Sequence, residues 1–234
     1  MGQPRLLIIE DERGLTQTLD YNFRREGYDV VVANEGADGL RKAQVLLPDV
    51  VILDLMLPGM SGLDVCRALR DSDKTRGIPI LMLTAKAEEA DQVIGFSLGA
   101  DDYVTKPFSV KVLVQRVKAL QRRSKGPTDA ADVIDYMQVR IDRVKHKAAV
   151  DGRELTLTPT EFRLLESLIR QPGRAFTRLQ LIDAAIGGGS IVLERTIDVH
   201  VKSLRRKLGR PDLIQTVQGV GYRFQEESVE APEV

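Results

Sequence analysis

This 234-residue sequence predicts an α/β fold, an open sheet of parallel strands covered by helices, followed by a smaller domain of different build. Three observations predict it. The first is Val50-Val51-Ile52-Leu53-Asp54, an unbroken aliphatic run that ends on a carboxylate. Such a run reads as a strand buried on both faces, the kind found in helix-covered parallel sheets. The second is repetition: Leu6–Ile9 runs into Glu10-Asp11-Glu12, Ile80–Leu83 runs into Thr84, and amphipathic stretches separate these segments. The third is a loss of core-forming periodicity over residues 124–137, after which short half-apolar segments replace the continuous ones.

In order, strands are expected at Arg5–Ile9, Tyr28–Ala33, Val50–Asp54, Ile80–Leu83 and Asp102–Val104. Helices are expected at Gly14–Glu26, Gly36–Leu46, Ser61–Arg70, Glu88–Leu98 and Ser109–Arg122, with Gly27, Gly77 and Gly99 as stops. Five βα units make a doubly wound sheet over residues 1–123. Residues 124–137 read as a linker. Beyond it, Val139, Ile141 and Val144 alternate with polar residues, and Lys147–Val150 leads to an Asp151-Gly152 turn. Thr158-Pro159-Thr160-Glu161 carries the signs of a helix start, with the threonine as cap and the glutamate three positions on. Its apolar stripe is Phe162, Leu165, Leu168 and Ile169. Two more helices, Arg178–Ala184 and Glu194–Leu208, precede a hairpin from Ile214 to Phe224. Sheet, three helices and a terminal hairpin within residues 138–225 describe a winged helix-turn-helix. Residues 226–234 form a short acidic tail.

Hydrophobic content of 43% and charged content of 29% are those of a globular protein. The single cysteine, Cys66, excludes an internal disulfide and reads as a small apolar side chain. No stretch has the length of a membrane span and the start carries no secretory pattern, so a cytoplasmic location is expected. The balanced total charge hides a skew: residues 138–224 hold 16 Lys/Arg against 9 Asp/Glu. A cationic second domain suits an anionic partner.

Glu10, Asp11 and Asp54 lie at strand ends that should adjoin, where ligand crevices of such sheets are found. Carboxylates converging there repel one another unless a hard cation separates them, and Mg²⁺ suits oxygen ligands of this kind. Glu10-Asp11-Glu12 alone is equally explained as the start of the next helix, where the dipole favours acids. Thr84 and Lys106 add a hydroxyl and an ammonium at neighbouring strand ends, and Pro107 fixes the backbone after the lysine. Hydroxyl, ammonium and metal around an aspartate are the groups a phosphoryl group needs.

The runs Asp54-Leu55-Met56-Leu57-Pro58-Gly59-Met60-Ser61-Gly62 and Leu98-Gly99-Ala100-Asp101-Asp102-Tyr103-Val104-Thr105-Lys106-Pro107-Phe108, with Arg195-Thr196-Ile197-Asp198-Val199-His200-Val201 and Gly219-Val220-Gly221-Tyr222-Arg223-Phe224, resemble two-component response regulators of the OmpR/PhoB type. The resemblance covers residues 4–123 and 138–225. It implies a CheY-like, flavodoxin-like receiver of five parallel strands and a winged-helix DNA-binding domain. It makes Asp54 the phosphoacceptor of a sensor histidine kinase, Thr84 the switch hydroxyl, Tyr103 the switch aromatic and Lys106 the lysine before a cis proline. Mg²⁺ would be held by Glu10, Asp11, Asp54 and the carbonyl of Met56.

The resemblance also implies a homodimer through the fourth helix, fifth strand and fifth helix of the receiver. Two of the usual charge pairs carry over, Asp102 with Arg116 and Asp101 with Arg123. A third does not, because Gln92 and Val112 stand at its two positions. In the second domain, Ile197, Val201, Leu204 and Leu208 make an inward stripe. Arg195, Thr196, His200, Lys202, Ser203, Arg206 and, on its shoulder, Arg205 are expected outward, toward promoter DNA. Ser203 and Gln218 replace arginines common among PhoB-like proteins, so no DNA site is transferred. The loop Ile186–Ile191 lies where some relatives touch RNA polymerase. With no cysteine or acid cluster beside them, His146 and His200 suggest no zinc site. The function implied is phosphorylation-gated transcription regulation, not an enzyme beyond slow self-dephosphorylation. The competing classes are a signalling adaptor with a protein-binding second domain and an aspartyl-phosphate phosphohydrolase.

Overall fold

The computed structural model of the chain describes residues 2–84, 99–124, 132–187 and 194–227. In the N-terminal domain, β1 (Arg5–Ile9), β2 (Asp29–Ala33), β3 (Val50–Asp54), β4 (Ile80–Thr84) and β5 (Asp102–Thr105) form one parallel sheet in the order β2-β1-β3-β4-β5. The described helices are α1 (Arg13–Arg25), α2 (Gly36–Leu46), α3 (Gly62–Asp71) and α4 (Val110–Ser124). The last corresponds to the fifth helix expected. The fourth, at 88–98, lies outside the described residues.

Alternation along the strands fills both faces. Leu6, Ile8, Ile52, Leu81 and Leu83 pack on one side with Leu19 and Phe23 of α1 and Val117 and Leu120 of α4. Leu7, Ile9, Val51, Leu53 and Met82 pack on the other with Val65, Cys66 and Leu69 of α3. All five residues of β3 are buried, as a strand covered on both faces requires. Buried in this way, the Cys66 thiol is pushed up to about 11, which keeps it protonated and inert. The start of α3 touches the end of β3: a Cβ on Gly62 would stand 2.0 Å from the Asp54 carbonyl oxygen. Glycine is what lets the helix approach so closely.

The second domain opens with an antiparallel sheet of β6 (Val133–Tyr136), β7 (Val139–Asp142), β8 (Lys147–Val150) and β9 (Arg153–Leu155). Strand β6 falls inside the stretch expected to be linker. It pairs Ile134 with Ile141 of β7, a partner that a two-residue apolar signal does not announce. Val144, assigned to the apolar alternation, is exposed in the turn between β7 and β8. Three helices follow: α5 (Pro159–Ile169), α6 (Arg178–Ala185) and α7 (Arg195–Leu208). Both α5 and α6 begin with reciprocal capping boxes, Thr158 with Glu161 and Thr177 with Gln180. A small sheet closes the domain, in the order β10 (Phe176–Thr177), β12 (Gly221–Phe224), β11 (Ile214–Val217). The apolar cluster on the α2–α3 side of the first domain is continuous with this second core.

Candidate functional site

The carboxyl ends of β1, β3 and β5 bring Glu10, Asp54 and Lys106 together. Lys106 Nζ donates to Asp54 Oδ2 at 2.7 Å and to Glu10 Oε2 at 2.8 Å. Carboxylate oxygens of Glu10, Asp11 and Asp54 lie within 4.8 Å of one another. Glu10 and Asp54 are buried, and Asp11 is exposed at the mouth. Burial pushes the Glu10 carboxyl up to about 7, with the Lys106 hydrogen bond opposing and the Asp54 charge reinforcing the shift. Burial works against the Lys106 ammonium as well, but its bonds to Asp54 and Glu10 outweigh that and hold it above the ordinary lysine value. The strand pattern places Lys106 and Glu10 on one rim, but not their direct bond, since the two stand 96 positions apart.

Among the described residues, three acids and one cation meet at the rim and leave it with surplus negative charge. Two buried carboxylates and an exposed third, all hard oxygen donors, fit a small divalent cation and do not suit zinc. The Met56 amide donates to Asp54 Oδ1 at 3.1 Å, which fixes the loop beyond β3 against the acid, while the Met56 side chain is exposed.

Thr84, the last residue of β4, and Tyr103 of β5 are both buried. Thr84 is paired in register with Thr105, and its carbonyl accepts from the Lys106 amide at 2.7 Å, so the expected switch residues flank one strand pair. The Lys106-Pro107 bond is cis. Asp102 accepts from Arg116 Nη1 with both oxygens at 3.0 Å within the chain. Asp101 faces the second domain and is fully buried. Val112 is exposed, whereas Gln92 and the Arg123 side chain lie outside what is described.

The family comparisons agree with this geometry. A response regulator receiver domain matches residues 6–118, and a C-terminal domain of transcriptional regulatory proteins matches residues 152–224. The chain is 45% identical over 225 residues to the phosphate regulon transcriptional regulatory protein PhoB of Rhizobium meliloti, covering 95% of this chain and 99% of that one. It is 43% identical over 223 residues to the DNA-binding response regulator MtrA of Mycolicibacterium smegmatis, covering 94% and 96%. This chain belongs to the OmpR/PhoB-type response regulators. Among solved structures, a mutant of RitR superposes with a TM-score of 0.74 at 28% identity, covering 96% of this chain and all of that one. DrrB of Thermotoga maritima, described as an OmpR/PhoB homologue, gives 0.50 at 28% identity with the same coverage. The chain is therefore a DNA-binding transcriptional response regulator. Among the described residues no helix is long and apolar enough to cross a membrane.

In the DNA-binding domain, α7 keeps the expected inward stripe of Ile197, Val201, Leu204 and Leu208. Two of its expected outward residues need correction. Thr196 and His200 are 1% and 2% exposed. Both flank the apolar stripe and are buried with it, so the helix is embedded along two adjacent lines and not one. Burial pushes the His200 imidazole below its ordinary value, against the raising effect of Glu161 and Asp101.

Arg205 is also committed elsewhere. It donates to the Ile214 carbonyl at 2.8 and 2.6 Å and to Thr216 Oγ1 at 2.9 Å, and it lies over the Tyr222 ring. It braces the helix against the hairpin. A second brace was not apparent in the sequence: Asp198 accepts from Arg178 Nε and from the Tyr222 hydroxyl, both at 2.8 Å. Arg195, Lys202, Arg206 and Gln218 remain exposed, with Ser203 half-buried.

Proposed function

We propose that Asp54 accepts the phosphoryl group that governs this regulator's DNA binding. The observation that carries the reading is the placement of Lys106 Nζ 2.7 Å from Asp54, between it and Glu10. A sensor kinase's phosphohistidine would present its phosphorus to Asp54 Oδ1, the oxygen that Lys106 does not hold. The O–P bond forms as the N–P bond breaks, and the imidazole departs with the electron pair. Lys106 offsets charge on the transferring oxygens, and its bond to Glu10 keeps it aimed. Mg²⁺ held by Glu10, Asp11, Asp54 and the Met56 carbonyl would supply further stabilisation of the same charge.

Beside the acids, Leu15, Thr18, Pro107, Phe108 and Val110 line a groove of about 580 Å³, a surface of suitable size and apolarity for a helix of the kinase. The Asp54 phosphate would draw Thr84 toward it and hold Tyr103 in its buried position, favouring a homodimer through β5, α4 and residues 88–98. Promoter DNA then meets Arg195, Lys202, Ser203, Arg206 and Gln218. Slow self-dephosphorylation needs water access past exposed Met56. The reaction belongs in the cytoplasm, where promoter DNA lies.

The test uses acetyl phosphate with Mg²⁺ as donor. Intact-mass analysis should register one phosphoryl adduct, lost in Asp54→Ala, and gel-shift selection on random duplexes should retain DNA far better with the adduct. An adduct that survives Asp54→Ala removes the assignment. Binding that ignores the adduct removes the gating.

A further inference from the structure

The two domains meet around one carboxylate. Asp101, directly before β5, accepts from Arg70 Nη2 at 2.8 Å and from the Ile80 amide at 2.9 Å within the receiver. Across the boundary it accepts from the Thr160 amide at 3.1 Å and the Thr160 hydroxyl at 2.7 Å, with Arg163 Nη2 at 3.7 Å. Thr160 stands in the first turn of α5, where amides have no partner inside the helix. Asp101 therefore serves as an acid cap supplied by another domain, favoured by the helix dipole. Arg70 holds the acid in place, since its other donors are bound to the carbonyls of Gly99, Arg76 and Ile78.

The same contact turns α7 toward the receiver. Ser203, Arg206 and Lys207 form one wall of a cavity of about 260 Å³, and Arg67, Arg70 and Arg76 belong to the other. A major groove about 12 Å wide, with a phosphate strand on each side, cannot enter that space. Ser203 and Arg206 can reach base edges only after the domains part. The apolar cluster that runs from one domain into the other favours closure, and the bonds to Asp101 add a polar contact that fixes its geometry.

We propose that Asp101 is a latch that keeps the unphosphorylated monomer closed. The resemblance gives this same acid to the dimer contact with Arg123. Because one fully buried carboxylate cannot serve both contacts, closed monomer and dimer exclude one another. Strand β5 links the latch to the phosphoacceptor pocket, with Asp101 at its start and Lys106 just past its end, roughly 16 Å apart for an extended strand. The proposal rests on DNA binding as the output, so its test carries a readout that does not involve DNA.

Two substitutions of Thr160 leave the receiver untouched. Thr160→Val keeps the shape and removes the hydroxyl donor. Thr160→Glu sets a second carboxylate against Asp101 and is tolerated in a first helical turn. Unphosphorylated full-length proteins are compared by small-angle X-ray scattering and by affinity for a duplex selected with the phosphorylated wild type. Thr160→Glu should enlarge the radius of gyration and raise unphosphorylated affinity about tenfold, with a smaller change for Thr160→Val, while phosphorylated proteins bind alike. Thr160→Val rising without any change in scattering would overturn the latch. So would a Thr160→Glu protein with wild-type thermal midpoint, scattering and affinity. If no form binds DNA, scattering still decides the latch and the DNA reading alone fails. If Thr160→Glu does not fold, Thr160→Val decides both readouts.

Discussion

Asp54 and Asp101 are both buried acids of the receiver, yet they lie at opposite edges of one sheet and in opposite states of neutralisation. Asp54 ends β3 at the carboxyl edge and shares the Lys106 ammonium with Glu10, with the Asp11 carboxylate close by. Asp101 stands at the amino edge, where two guanidinium groups, a hydroxyl and two amides surround it. The difference separates a reactive site from a holding one. The acids crowded around Asp54 suit a divalent cation, and Asp54 Oδ1 is held only by the Met56 amide at 3.1 Å. At Asp101 every lone pair is taken, so it bonds to something new only by giving up what it holds.

Arg70→Ala tests the saturated side and carries the largest expected effect. It strands Asp101 in a dry site with only Arg163 to answer its charge, which costs about 3–5 kcal/mol for a broken buried pair. Urea denaturation of the full chain measures the loss, and Asp54 should still take phosphate from acetyl phosphate under native conditions. A change under about 1 kcal/mol, typical of a surface pair, would show that Asp101 is not dependent on its cation.

Lys106→Met tests the unsaturated side. Removing the Lys106 ammonium should slow phosphorylation of Asp54 by about a hundredfold, in line with loss of a preorganised charge partner. Its effect on closure should be nil, so scattering of the unphosphorylated protein stays that of the wild type. An expanded Lys106→Met protein would mean the two edges are coupled before any phosphate arrives.

How far the sequence revealed each edge follows from distance along the chain and from symmetry of signal. Glu10, Asp54, Thr84 and Lys106 each end a strand-like run, so the alternation of strands and helices already places them on one rim. The latch has no such mark: Thr160 and Asp101 come from different domains, and nothing in Thr158-Pro159-Thr160-Glu161 beyond a helix cap points to a partner. Thr196 and His200 mislead for another reason. A polar residue beside an apolar stripe reads as solvated, but α7 is buried along that flank as well as on its stripe. Arg205 reads as a groove-facing cation until its bonds to Ile214 and Thr216 are seen.

Acid should reach the boundary between domains in two separate steps. Burial pushes His200, and also His146 stacked on Phe162, below the ordinary imidazole value. A folded value below the unfolded one gives stability that is full above about pH 6.5 and lost as pH falls below it. Glu161 is held below the ordinary carboxylate value: burial opposes this, and the bond to Lys207 at 2.5 Å, with help from Ser203 and the Thr158 amide, prevails. Its contribution is present above the ordinary glutamate value and is lost only as pH falls through the lowered one. Denaturation at a series of pH values should show both steps, and Glu161→Gln should remove the lower one alone. A single step unaffected by Glu161→Gln would dissociate Glu161 from the acid response.

The smallest expected effect distinguishes cations that meet DNA from those that brace the domain. Lys202 is exposed on α7, whereas Arg205 is bonded to β11. Lys202→Ala should weaken binding by a similar factor on every duplex and lower the slope of log affinity against log salt by about 1, as one lost phosphate contact requires. Arg205→Ala should instead lower the thermal midpoint and leave that slope nearly unchanged, because its donors face protein oxygens. A changed sequence preference for Lys202→Ala would put Lys202 on a base edge. A changed salt slope for Arg205→Ala would mean the brace opens when the helix enters the groove, making even this bonded cation available once the domains have parted.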